Sequence, residues 1–546
     1  MRRQLALVVS FALAATARAQ TLRYEFPSLY DNEGFGSAVA GVGDVDGDGH
    51  DDVAVAAPMD SIQFDEAGRV SVFSGKNGFP LYLLFGSQTR EHFGWSLSGL
   101  GDLDGDGYDD LIVGTPDYYP ADGGIGHVIA FSGKHGTVIH EIRGRPGSAQ
   151  ELGYSVAGLG DVDGNGYLDY AVGAPREDSD RGAVYVYSGP GPGLIKVLAG
   201  TQDGARFGEA VGAAGDVNGD GFADLIVGSP RFDGALWHDE GRIAVYSVTS
   251  GNVLFGYSGS SGEDRLGTAV SGAGDVDLDG FSDIIVGAPY ANNQIGYAVV
   301  LSGNGAVLDW QSGGHYGSYF GWSITGGFDV NGDCHADYAV GAPQGGTSSE
   351  GEVKVFSGLT HQLMYTFDGK LKYGGPRFFG SAIANARDTD QDGVGDLLIG
   401  ASDGWPAADK KASAAYLYDM HTAGYRYYGT GYGGQVEAKL VAETPPHIGQ
   451  MHTISLTNAW LTGASRSVLL MGLEAAEQDT PYGGTLLVKP SYLFLLLVTG
   501  SGITIEGMVP DDPQLLGFHL FLQALELEPG GKHVAFTHGM ELIYGY

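Results

Sequence analysis

The sequence predicts an all-β fold, a seven-bladed β-propeller followed by a small β-sandwich domain. Three observations predict it. An acidic loop of the form Asp-x-Asp-x-Asp-Gly-x-x-Asp recurs seven times at steps of 54 to 59 residues. A regular period of this size marks a repeat architecture. Between successive loops lie short apolar segments with period-two alternation, bounded by Gly and Asn, which read as antiparallel hairpins. Glycine supplies 93 of 546 residues while 43% are hydrophobic. That balance suits many short strands joined by tight turns and excludes a disordered chain.

The first segment reads as a secretory leader. Arg2-Arg3 precede an apolar run from Leu5 to Ala15 and then Ala17-Arg18-Ala19. Cleavage after Ala19 would remove residues 1–19 and leave Gln20 first. The run is shorter than the ~20 residues that span a bilayer, so a membrane anchor is the weaker reading. Export bears on metal binding, because extracellular calcium fills even sites of about 10⁻⁴–10⁻³ M affinity.

The propeller is expected over residues 20–422. Leu22–Phe26 matches the fourth-strand position of other units, such as Leu81–Phe85. It is expected to complete the seventh blade, because an open sheet edge invites aggregation. Each unit opens with an apolar residue and Gly: Phe35-Gly36, Phe93-Gly94, Leu152-Gly153, Phe207-Gly208, Leu266-Gly267, Phe320-Gly321 and Phe379-Gly380. A small-residue strand then leads into the acidic loop. The strand that leaves the loop ends in Ala56-Ala57-Pro58 in the first unit and in Gly287-Ala288-Pro289 in the fifth. The seventh has Gly400-Ala401-Ser402 and lacks the Pro. A third strand ends in Ser-Gly, as in Gly68–Gly75, and a fourth follows a turn, as in Pro80–Phe85. Four strands per unit and seven units give the blades.

The acidic loops carry the chemistry. Ca²⁺ takes six to eight oxygens, and alternate residues of a tight loop can aim carboxylates at one point. Positions 1, 3, 5 and 9 would supply side-chain oxygens, and position 7 its backbone carbonyl. In the first loop these are Asp44, Asp46, Asp48, His50 and Asp52. The second has Asp102, Asp104, Asp106, Tyr108 and Asp110, the third Asp161, Asp163, Asn165, Tyr167 and Asp169. The fourth has Asp216, Asn218, Asp220, Phe222 and Asp224, the fifth Asp275, Asp277, Asp279, Phe281 and Asp283. The sixth has Asp329, Asn331, Asp333, His335 and Asp337, the seventh Asp388, Asp390, Asp392, Val394 and Asp396. Glycine at position 6 permits the φ > 0 turn around the ion. The sixth loop has Cys334 there, at a cost of ~1 kcal/mol. Asp-Gly runs also form turns without metal, but seven repetitions in one register favour up to seven Ca²⁺, mainly structural.

These linked motifs resemble the FG-GAP repeats of the integrin α-chain N-terminal propeller, over residues ~22–420. The resemblance implies that the acidic loops join the first two strands of each blade and bind calcium on one face. It implies that ligands and partners engage the opposite face. The leg domains and membrane span of integrins have no counterpart here, so their signalling is not carried over.

Residues 423–434 read as a Gly/Tyr linker, and 435–546 as a C-terminal β-sandwich domain of alternating or apolar strands. Leu493–Val498 is too short to span a membrane. This tail is similar to β domains appended to large secreted bacterial proteins. A single cysteine excludes an intrachain disulfide. A formal charge of −37 disfavours nucleic acid and anionic membranes as partners.

The sequence carries no His-Glu-x-x-His, no Gly-x-x-x-x-Gly-Lys-Ser/Thr and no nucleophile elbow. Aromatics and arginines do recur in the connections opposite the acidic loops: Tyr118, Tyr119, Phe232, Trp237, Tyr290, Tyr316 and Tyr319, with Arg206, Arg231, Arg265 and Arg377. Such residues on variable loops suit recognition. Taken singly, each could equally cap a blade core. The expectation is a secreted or cell-surface calcium-binding propeller, a non-catalytic adhesion or recognition scaffold for an extracellular protein or glycan. The alternative is an extracellular hydrolase or polysaccharide lyase built on the propeller. A structural surface-layer component is the third.

Overall fold

A computed structural model describes residues 21–28, 30, 33–116, 125–145, 150–331, 333–346, 349–369, 378–391, 393–402 and 413–420, with strands between 424 and 543. The leader expected over 1–19 lies outside the described residues. The chain divides into a propeller unit that ends at Asp419 and a second unit from Met420 onward.

The propeller unit holds seven four-stranded antiparallel sheets. In the first blade the strands run Val39–Gly43, Asp52–Ala57, Arg69–Phe73 and Pro80–Phe85 in sequential order across the sheet. Five further blades repeat this order. The seventh combines Phe379–Arg387, Asp396–Ala401 and Ala414–Asp419 with Thr21–Pro27, which pairs beside Ala414–Asp419 as the outer strand. The innermost strands touch in a closed circle, with Phe379–Arg387 returning to Val39–Gly43. They surround a channel cavity of about 470 Å³ lined largely by small residues.

The second strand of each blade is buried along all six residues, which explains its unbroken apolar run. The outer strands alternate, as in Pro80–Phe85, where only Leu84 is fully buried. Core clusters form between blades. One joins Val42, Ala54 and Val72 of the first blade to Phe93, Leu111 and Phe131 of the second. Another joins Phe26, Leu398 and Leu417 of the closing blade to Phe35, Val53 and Val55 of the first.

The recurring apolar-Gly and Gly-Ala-Pro motifs meet at the blade seams. Phe35, Phe93, Phe320 and Phe379 are at most 1% exposed and fill the spaces between blades. The amide of Gly267 donates to the Gly287 carbonyl at 3.0 Å within one blade. Gly287 in turn lies against the next blade, where a Cβ would stand 2.0 Å from the Gly321 carbonyl oxygen. The same contact closes the circle, with a Cβ on Gly400 falling 2.1 Å from the Gly36 carbonyl. Gly287→Ala is therefore expected to lower stability by about 1–3 kcal/mol, as overpacking does. Urea unfolding checks it, and a variant as stable as the parent would show that the seams can give way.

Two four-residue helical turns, Glu177–Asp180 and Ala291–Gln294, lie in connections between second and third strands. They are the only helices among the described residues.

The second unit is also β. A six-stranded sheet holds Gly424–Tyr428, Gly539–Ile543, His519–Leu527, Ala464–Gly472 and Tyr492–Thr499 in that order, with Val534–Phe536 against His519–Leu527. Leu440–Ala442, Met451–Thr457 and Gly502–Met508 form a three-stranded sheet, and Ala475–Asp479 pairs with Thr485–Val488. The face-to-face packing that would make these sheets a sandwich lies outside the described residues. One expectation is corrected. Gly424–Tyr428, read as linker, is a strand paired in register with Gly539–Ile543. The partner strand lies more than a hundred residues away.

Candidate metal centre

Each acidic loop joins the first and second strands of a blade, so all seven lie on one face. The loop is folded by its own carboxylates. Asp44 Oδ1 accepts from the amides of Gly47 and Asp48 at 2.7 and 3.0 Å, and its Oδ2 from Gly49 at 2.8 Å. Asp46 accepts from Asp48, and Asp48 from His50. The same pattern recurs around Asp102, Asp161 and Asp216. Gly49 lies at φ 88°, and Cys334 takes the equivalent left-handed position at φ 70° with its thiol exposed. A second left-handed residue stands at position 4. Glycine occupies it in most loops, but Leu278 and Gln391 adopt φ 58° and 65° there.

Among the described residues, carboxylate oxygens converge in four loops. Asp44, Asp46 and Asp48 bring one oxygen each within 4.8 Å of one another, as do Asp275, Asp277 and Asp279. Asp102 and Asp104 converge with Asp110, and Asp161 and Asp163 with Asp169. In the fourth loop the Asn218 amide donates to Asp224 at 3.1 Å. Asp392 lies outside the described residues.

The position 9 carboxylates have a second task. All seven are essentially buried. Asp52 accepts from the Val45 amide at 3.0 Å and from the Gly75 amide at 2.9 Å. It thus ties the loop to the Ser-Gly turn after the third strand. Asp110 and Asp283 do the same with Leu103 and Gly133, and with Val276 and Gly303. In the third blade the Gly189 amide donates to the Leu168 carbonyl instead.

The donor set fits a hard cation. Asp275 Oδ1 and Asp169 Oδ1 are shielded from water and have no hydrogen-bond partner. A buried, unpartnered carboxylate oxygen is costly unless a cation meets it. Both belong to converging groups. Lysine ammonium groups help at two other loops, Lys76 with Asp48 at 3.4 Å and Lys134 with Asp106 at 3.9 Å.

Burial pushes the Asp52, Asp224 and Asp283 carboxyls up to about 7, and those of Asp110 and Asp169 to about 6, with neighbouring carboxylates adding to the rise. An unfolded Asp titrates near 3.9. These groups therefore stabilise the metal-free fold fully below pH ~4, and that contribution is lost as pH rises through about 7. In chelator, the melting temperature is expected to fall between pH 5 and 8. A flat profile over this window would contradict it.

Neighbouring loops touch. The Asp109 amide donates to the Asp44 carbonyl at 3.2 Å, Ser282 to Asp216 at 2.9 Å, Ala336 to Asp275 at 3.1 Å and Asp51 to Asp388 at 3.4 Å. Position 7 rings lean the same way. The imidazoles of His50 and His335 reach the Thr389 and Val276 carbonyls, while Tyr108 lies over Gly47.

The opposite face carries the connections into and out of the blades. There Arg265 stands 4.5 Å from the Tyr290 ring centre. Tyr290 meets Tyr319 and Trp322 at 5.6 and 6.2 Å, and Tyr319 meets Trp322 edge-on at 6.0 Å. Trp322 directly follows Phe320-Gly321, a position that reads in sequence as the start of an inner strand. Trp237 is half exposed, and Arg242 lies 5.4 Å from the Phe232 ring. Arg206 pairs with Glu209 at 3.4 Å. Tyr118, Tyr119 and Arg377 lie outside the described residues.

The FG-GAP repeat model matches residues 35–73, 93–129, 152–187, 207–246, 266–307 and 320–356. Integrin alpha-5 of Xenopus laevis is 33% identical over 239 residues, covering 41% of this chain and 22% of that protein. Integrin alpha-V of Gallus gallus is 34% identical over 220 residues, covering 36% and 21%. The chain thus spans about a fifth of the length of these relatives. A solved structure titled "Structure of Dos1 propeller" overlays at a TM-score of 0.39 and 11% identity, covering 68% of this chain and 76% of that one.

Proposed function

From the premise that this chain is an FG-GAP repeat protein whose propeller resembles that of integrin α chains, we propose that it is a secreted, calcium-stabilised scaffold for extracellular recognition, without catalysis of its own. Calcium is held by the acidic loops on one face. An extracellular protein or glycan is engaged on the other. The observation that carries this reading is the division of labour between the faces. Converging carboxylates with unpartnered buried oxygens gather on one. Aromatic and arginine side chains gather on the other. A cation would cancel repulsion among three carboxylates and couple binding to folding. The sequence-derived leader supports export, and no helix among the described residues is long and apolar enough to cross a membrane.

The test is a calcium count on the exported protein by atomic emission, with its N-terminus determined in parallel. At least four ions per chain and a start at Gln20 are expected. A chain that carries no calcium would sink the reading.

A further inference from the structure

We infer that Tyr290, Tyr319, Trp322 and Arg265 form a binding site for a neutral, pyranose-based glycan. This rests on the reading of that face as a recognition surface. The residues come from three connections. Tyr290 follows the second strand of the fifth blade, Arg265 lies between the fourth and fifth blades, and Tyr319 and Trp322 lead into the sixth. Arg265 and Tyr319 occupy the position just before the apolar-Gly pair at φ 51° and 55°, as His92, Glu151, Arg206 and Phe378 do in other units at φ 52° to 61°. The first blade has Gly34 there at φ 68°. A left-handed conformation costs a large side chain about 1 kcal/mol or more that glycine avoids. The cost is common to the array, and on the two connections that frame Tyr290 the residue carried there is an arginine and a tyrosine.

The chemistry narrows the ligand. Trp322 is 38% exposed and Tyr316, on the same connection, 71%. Tyr319 meets Trp322 edge-on, so its own ring does not stack on the indole. Flat aromatic faces receive the C–H side of a sugar ring, with edge groups free for hydrogen bonds. A cationic peptide is disfavoured, because the Tyr290 ring already carries the Arg265 guanidinium. A polyanion is disfavoured by the net charge of −37. Asp239 lies 3.5 Å from Arg265 and offsets its charge. What the site offers is a charge-balanced set of donors and acceptors beside apolar ring faces, and sugar hydroxyls match it.

The test is affinity electrophoresis of the full-length, calcium-loaded protein. Gels are cast with laminarin, hydroxyethylcellulose or galactomannan, and with polygalacturonate as the charged counterpart. Retardation by at least one neutral polysaccharide is expected, weakened tenfold or more in Trp322→Ala and largely kept in Trp322→Phe. Phe79→Ala, an exposed residue in a turn on the other face, should migrate as the parent. Melting curves and calcium counts confirm that each variant folds. Retardation by polygalacturonate alone, by no gel, or equally in Trp322→Ala overturns the assignment. The calcium count reads the underlying proposal separately. A loaded protein that ignores neutral glycans sinks this inference alone, whereas a protein without calcium sinks the reading beneath it.

Discussion

Adding a chelator to the mature protein is expected to lower its melting temperature by about 10–20 °C. The size follows from linkage. A site held at a hundred times its dissociation constant adds about 2.7 kcal/mol to the folded state. The four loops with converging carboxylates would together add about 10 kcal/mol. For a domain of this size each kcal/mol moves the midpoint by roughly 1–2 °C. The loss should be reversed by calcium. Within the third loop, Asp161→Asn combined with Asp163→Asn should remove one ion and a proportionate part of the stabilisation. Asp169→Asn should cost more than an ion, since Asp169 also accepts from the Val162 amide at 2.8 Å. Calorimetry with parallel metal analysis decides the matter. An unchanged melting curve in chelator would leave the loops as hydrogen-bonded turns on an acidic propeller.

The second large effect is expected at Arg69. Its side chain is 2% exposed and lies 2.9 Å from both Glu33 and Asp60, which are equally buried. The guanidinium also donates to Ser71 and stands 5.6 Å from the Phe35 ring centre. Glu33 belongs to the connection that leaves Thr21–Pro27, the outer strand of the closing blade, and enters the first. The triad therefore pins the seam where the two ends of the array meet. Arg69→Ala would strand two buried carboxylates and is expected to cost about 3–5 kcal/mol. Arg69→Met together with Glu33→Gln and Asp60→Asn should recover most of that, because no uncompensated charge remains. Denaturant unfolding of the two variants measures the difference. A cost for Arg69→Ala below about 1 kcal/mol would show that closure rests on the apolar contacts of Phe26 and Phe35 alone.

Much of this architecture is legible from residue order. The seven loops, the apolar-Gly openings and the Gly-Ala-Pro ends are local, periodic signals, and so is the left-handed turn at Cys334. What was not legible depends on partners distant in sequence. Asp52 reads as the ligand at position 9, yet its Oδ1 accepts from Gly75, 23 residues on. Nothing in the loop's spacing reveals that. Leu278 and Gln391 break the glycine pattern at position 4, so the conformation they share with Gly47 has no residue signature. Trp322 sits where strand periodicity assigns an inner-strand start, and only the folded chain brings it to Tyr319 and Tyr290. Gly424–Tyr428 has a linker's composition, and its ladder to Gly539–Ile543 joins the beginning and end of the second unit.

The blade seams have one more consequence. Where Gly287 meets Gly321, and Gly400 meets Gly36, the contact is made by backbone atoms that every residue possesses. No side chain from either face takes part in it. Away from residues that bridge blades, as Glu33 and Asp60 do through Arg69 at the closing seam, substitutions in the loops thus leave the fit intact, provided the glycines stay. The two faces can therefore vary independently, the acidic loops on one and the aromatic and arginine connections on the other. A scaffold joined in this way keeps its shape while the loops it carries change.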